Sequence, residues 1–158
     1  MKKFKKLLAI GLATITTMSA MSLSAMAKEV ITYDNGVTMT VYETKEEFDR
    51  VMPRTVDMTF STTLTTSLQY LKSLETSSYI MTLSGDETEL VVVFDDVVNE
   101  HLRTTLYDVT SNSYLINDDL KIHNYAVTYS NLPKTHKYKL GYRTTGGTLA
   151  VSGTVNSY

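Results

Sequence analysis

The chain contains no cysteine and no tryptophan, and only two prolines among its 158 residues. Without cysteine there is no disulfide scaffold, no thiolate zinc site and no thiol nucleophile. A surplus of one charge is also lacking. Fifteen Lys and Arg stand against 17 Asp and Glu, for a formal charge of −2. That balance excludes a strongly basic nucleic-acid binder. What is present, 42% hydrophobic residues, excludes a wholly disordered chain and can supply a core. At ~100–200 residues per domain, one domain is expected.

The first 27 residues read as an export signal. Lys2, Lys3, Lys5 and Lys6 precede the apolar run Leu7–Ala13, and small residues lead to Ala25-Met26-Ala27. A positive start, a short apolar stretch and an A-x-A site are the parts of a cleavable signal peptide. Cleavage is expected after Ala27, with Ala25 and Ala27 as the two small residues the peptidase requires. Cleavage after Ser24 is a weaker alternative. Thr14, Thr16, Thr17 and Ser19 interrupt the run before the ~20 apolar residues of a membrane span. No membrane span is therefore expected after cleavage, and no cysteine follows the site to carry a lipid. The expected location is secreted or extracellular, including loose association with a cell surface. Export without cysteine suits a Gram-positive-like bacterium better than a disulfide-forming compartment.

Residues 28–158 alternate with period 2. Val56, Met58, Phe60, Thr62, Leu64, Thr66, Leu68 and Tyr70 occupy one parity, and the other is wholly polar. This predicts one long half-buried strand, or two joined by a bend near Thr62 or Thr66. Asn35-Gly36 lies between two strand-like runs and predicts a hairpin with a type I′ turn. Gly85-Asp86 and Gly146-Gly147 are further turn signals, the second joining the last two strands. Leu90–Phe94 is apolar on both parities, as in a central strand. Further strands are expected over 79–83, 102–109, 114–116, 121–129, 137–142 and 149–155. Thr44-Lys45-Glu46-Glu47 is a capping box, starting a short helix that Pro53 ends and that covers a sheet edge. About nine short strands predict an all-β sandwich as a single domain over 28–158. Residues 28–53 allow a second reading, as an N-terminal hairpin-plus-helix extension.

The segment from Tyr125 to Leu140 contains Leu132-Pro133-Lys134-Thr135 and then Tyr138, six residues after Leu132. This resembles the corner between strands E and F of fibronectin type III domains. The resemblance covers roughly residues 120–158. It implies an immunoglobulin-like antiparallel β-sandwich, with Tyr138 as a tyrosine corner pinning a crossover between sheets. It also implies an F–G hairpin around Gly146-Gly147. The tryptophan usual in an early strand is absent, and the chain is longer than such domains. The same stretch, Leu132 to His136, is similar to a cell-wall sorting motif, but His136 stands where glycine is needed. Lys137, Lys139 and Arg143 follow at once instead of an apolar segment. Covalent wall anchoring is not expected.

The search for chemistry is mostly negative. His101, His123 and His136 have no metal-binding spacing, and no nucleophile elbow is present. No catalytic residue, resident metal or cofactor is expected. Asp95-Asp96, Asp118-Asp119 and the 85–89 cluster offer carboxylates that calcium could use if they lie in loops at one end. Charge is divided unevenly. Residues 28–158 carry −6, because the four leading lysines leave without any acid; 28–119 carry −11 and 120–158 carry +5. Lys134, Lys137, Lys139 and Arg143 form a candidate basic surface, and the last three share one parity. All eleven tyrosines lie beyond residue 27, where they could pack the core or stack on sugars. The expected role is an extracellular, non-catalytic binding or surface-associated module. Its partner would be a cell-wall polymer, a glycan or an extracellular protein. The alternatives are a small extracellular hydrolase using His101 or His123, or a structural or assembly subunit offering a strand edge.

Overall fold

The computed structural model describes residues 29–49, 56–120 and 123–158. The expected cleavage site at Ala25 and Ala27, and the helix stop at Pro53, lie outside the described residues. The described chain is all-β, with eleven strands in two antiparallel sheets and one five-residue helix.

The larger sheet has six strands in the order β1 (Glu29–Thr32), β2 (Thr38–Tyr42), β9 (Asn124–Ser130), β6 (Leu90–Val98), β11 (Leu149–Ser157), β3 (Met58–Leu64). The smaller sheet runs β4 (Gln69–Tyr70), β10 (Lys137–Thr144), β7 (Leu102–Asp108), β8 (Ser113–Leu120). The two-residue β5 (Met81–Thr82) also pairs with β10. Each sheet turns one parity inward. Phe60, Phe94, Val127 and Val155 from the larger meet Leu106, Ile116, Leu140 and Tyr142 from the smaller in one apolar cluster. Edge-to-face ring contacts run from Phe60 to Phe94 at 6.1 Å and from Phe94 to Tyr142 at 5.6 Å, crossing from one sheet to the other.

The long alternating run is two strands joined by a bend, the second of the two expected readings, and the two lie in different sheets. Its apolar parity continues unbroken, but the backbone leaves β3 after Leu64, and β4 joins β10. The Thr65 hydroxyl accepts from the Ser67 amide at 3.2 Å, a local turn that competes with the ladder. The last two strands also correct the F–G hairpin expectation. β10 lies in the smaller sheet, whereas β11 pairs with β3 and β6 in the larger. Both edges of β10 are already taken, by β7 on one side and by β4 and β5 on the other. The Gly146-Gly147 turn is therefore a crossover. Gly85-Asp86 likewise joins β5 to β6 across sheets.

The first hairpin forms, but not by a type I′ turn. Gly36 has φ 84° while Asn35 stays at negative φ. The Gly36 amide donates to the Tyr33 carbonyl, and the Tyr33 amide to the Val37 carbonyl, both at 2.9 Å. This is a three-residue loop with glycine at the left-handed position. The Asn35 side chain is freed to accept from the Val37 amide and to donate to the Leu115 carbonyl in the opposite sheet. β2 then pairs with β9 from Thr38 to Tyr42, so the hairpin is built into the larger sheet.

The capping box closes as its sequence requires. The Glu47 amide donates to the Thr44 hydroxyl at 3.3 Å, and the Glu47 carboxylate accepts from the Thr44 and Glu43 amides. The helix α1 (Lys45–Asp49) covers a face of the sheet and not, as expected, an edge. Phe48 packs between Tyr42 and Tyr125 on the outer side of β2 and β9, with Val91 and Ala126 beneath. That cover explains why β9 is buried on both parities from Asn124 to Tyr129.

Candidate functional site

Among the described residues, the outer face of the smaller sheet has no such cover. In β10, Tyr138, Leu140 and Tyr142 point into the core, which turns Lys137, Lys139, Gly141 and Arg143 outward. Register then fixes three rows across this face. Lys139 lies beside Tyr107, which pairs with Tyr114. Gly141 lies between Tyr70 and Thr105, and Thr105 pairs with Asn117. Arg143 lies opposite Arg103, which pairs with Asp119.

Three tyrosines from three strands thus meet over one surface. The Tyr107 and Tyr114 rings are 4.9 Å apart and inclined at 60°. The Tyr70 and Tyr114 phenols lie near enough to interact electrostatically, and Lys139 Nζ sits 5.6 Å from the centre of the Tyr70 ring. Partial burial, with the Tyr114 phenol nearby, pushes the Tyr70 phenol up to about 12. Gly141 makes the arrangement possible. A Cβ there would lie 2.7 Å from Leu68 Cδ1 and 3.1 Å from Tyr70 Cδ1. Tyr114 remains 61% exposed, the value that marks it as a surface ring and not a core one. Leu68, Thr105, Tyr114, Asn117 and Arg143 line an open groove of about 130 Å³. Arg103 is held by Asn117 Oδ1 at 3.1 Å and by Asp119 at 3.8 Å. Arg143 has no ion pair among the described residues.

The basic surface expected from sequence is therefore divided. Lys137, Lys139 and Arg143 share the tyrosine face, whereas Lys134 lies at the β9–β10 corner, paired with Asp86 at 2.7 Å. Tyr138 is fully buried, and its hydroxyl donates to the Pro133 carbonyl at 2.8 Å. Burial, with the Asp108 charge nearby, raises its pKa strongly.

The acid pairs do not lie in end loops. Asp95 and Asp96 lie within β6 beside an irregularity in its pairing with β9, and Asp118 and Asp119 lie within β8. Asp118 accepts from the Tyr33 hydroxyl at 2.9 Å, tying the first hairpin to the smaller sheet. Among the described residues, no group of three or more His, Cys, Asp or Glu is placed to hold a metal ion. A cleft of about 350 Å³ beside β6 is rimmed by Asp95, Asp96 and Glu100, and one of about 330 Å³ by Asp57, Glu75 and Glu87. Both are roomier than the tyrosine groove, but neither brings an exposed aromatic ring or a cation to its rim.

His101 is exposed, and His123 is exposed at φ 67° just before β9 instead of inside a strand. The histidine with an acid partner is His136, whose Nδ1 lies 2.8 Å from Asp108 Oδ2. Nothing in the sequence spacing pointed to this pair. Asp108 Oδ1 also accepts from the Thr110 and Ser111 amides, and the Ser111 hydroxyl bonds Ser113 at 2.8 Å. The pair ties the β7–β8 turn to the β9–β10 corner, and that hydroxyl is engaged elsewhere.

Compared with family models, curated proteins and solved structures, the chain matches none. Among the described residues, no helix is long and apolar enough to cross a membrane.

Proposed function

We propose that the protein is a secreted, non-catalytic binding module of immunoglobulin-like sandwich form. It would hold an extracellular polysaccharide along the outer face of the smaller sheet. The observation that carries this reading is the gathering of Tyr70, Tyr107 and Tyr114 from three separate strands onto one surface. The exposed Tyr114 ring, backed by a rigid sheet, can lie against the apolar face of a sugar ring while the exposed Asn117 side chain supplies a hydrogen bond beside it. The groove is open and shallow, which suits a polymer laid across it better than an enclosed small molecule.

The test is affinity electrophoresis through a panel of soluble polysaccharides, with Tyr114→Ala and Tyr107→Ala alongside the parent protein. Retardation by at least one polymer is expected, weakened about tenfold by Tyr114→Ala. Because Tyr114 is largely exposed, its thermal unfolding should barely move. Absence of retardation by every polymer, or retardation indifferent to both variants, overturns the reading.

A further inference from the structure

The charge on the tyrosine face carries the argument further, to the kind of polysaccharide. Arg143 and Arg103 are directly opposite one another on adjacent antiparallel strands. Like charges so placed repel unless something negative compensates them. Arg103 is compensated by Asn117 and Asp119. Arg143 is not, among the described residues, and it borders the same groove as Tyr114. Lys137 and Lys139 add positive charge along the same side of β10. The sequence beyond residue 27 is net acidic, so this face concentrates cations on an otherwise anionic molecule.

We infer that the ligand is a carboxylate-bearing polysaccharide, its acid group taken by Arg143 beside Arg103 while its sugar ring lies against Tyr114. This rests on the binding reading above. A guanidinium is a planar fork whose parallel N–H groups match a carboxylate in a two-point bond. It matches phosphate as well, so the cation alone does not choose between the two. The tyrosines choose. A chain of glycerol or ribitol phosphates has no sugar ring in its backbone to lie against Tyr114, and neither does an acidic peptide. A polymer of uronic acids presents ring and carboxylate together at each residue.

The test uses the full chain against four polymers: polygalacturonate, its methyl ester, poly(glycerol phosphate) and polyglutamate. Polygalacturonate should bind, and esterification, which removes the charge and keeps the ring, should weaken binding about tenfold or more. Arg143→Gln and Tyr114→Ala should each weaken it to a similar degree, and added salt should weaken it further. Arg143→Lys keeps the charge but not the fork, and should rescue only part of the loss. Equal binding of the methyl ester, still sensitive to Tyr114→Ala, overturns the inference and leaves the broader function standing. Equal or tighter binding of poly(glycerol phosphate) or polyglutamate also overturns it. If Arg143→Gln lowers the unfolding temperature, the esterification pair measured on the parent protein decides alone. Binding to none of these or of the wider panel overturns both readings.

Discussion

The Tyr138 hydroxyl reaches back five residues to the Pro133 carbonyl, and this bond fixes the chain where it passes from the larger sheet to the smaller. Pro133 has no amide to donate, and its carbonyl sits in a corner outside either ladder. Tyr138 brings its donor to that carbonyl while its ring fills the core. Tyr138→Phe keeps the ring and removes only the donor. It should cost about 1–2 kcal/mol, read as a lowered urea midpoint with an unchanged slope.

Asp108 is the second fastening of the same corner. Burial alone would raise its pKa, but the hydrogen bonds from His136 and Ser111 outweigh it and hold the carboxyl below the usual range. A depressed acid stabilises the fold most above its unfolded pKa of about 3.9, and that contribution is lost as pH falls through the lower folded value. Asp108→Asn should therefore lower stability at neutral pH by about 1–3 kcal/mol. It should also flatten the fall in stability on the acid side. Denaturant midpoints measured at a series of pH values check both effects.

Much of the strand content was legible because alternation reports which side of a strand faces apolar surroundings. Tyr138, Leu140 and Tyr142 against Lys137, Lys139 and Arg143 is such a case. Sheet membership was not legible, since the same alternation serves either sheet. Gly146-Gly147 marks a reversal whether the next strand pairs beside the last or crosses over. What decides is the occupation of β10 by β4 and β5, two-residue strands that lie inside longer strand-like runs whose alternation does not say which sheet they join. The tyrosine face was hidden for another reason. Tyr114 and Ile116 share a parity and would point the same way in a regular strand. An irregularity at Leu115 shifts the register, so Ile116 stays opposite Leu106 in the core while Tyr114 meets Tyr107 outside.

In the core, Tyr129 bonds both Tyr142, at 2.9 Å, and Thr104. Burial pushes the Tyr129 phenol up to about 12 and raises Tyr142 well above its usual value. An unfolded tyrosine ionises near pH ~10, so the stability of these neutral phenols is full below that pH. It is lost as pH rises toward the folded values. Unfolding should set in on the alkaline side, with tyrosinate absorbance rising together with loss of structure. Tyr142→Phe should make the alkaline fall shallower.

Thr135 has φ 61°, a left-handed conformation that a β-branched side chain adopts only under strain. Its side chain is exposed, so the conformation can be relieved without disturbing the core. Thr135→Asn should raise stability by about 0.5–1 kcal/mol, because asparagine tolerates this region. A lowered denaturant midpoint would show that the threonine side chain contributes more than its backbone costs.

Gly153 and Gly141 separate two kinds of close approach. At Gly153 in β11 an added Cβ would lie 2.1 Å from the Val93 carbonyl oxygen and 3.0 Å from Phe94 Cα, both backbone atoms of the neighbouring central strand. Those atoms are locked in the ladder, so the strands themselves must part. At Gly141 the obstacles are the ends of the Leu68 and Tyr70 side chains, which can turn away. Gly153→Ala should cost about 3 kcal/mol or more, the upper range for forcing atoms into a packed interior. Gly141→Ala should cost less in unfolding experiments, yet displace Tyr70 from its place beside Lys139 and Tyr114 and weaken polysaccharide binding. Comparable stability losses in both variants would mean that Leu68 and Tyr70 are held as rigidly as the backbone itself.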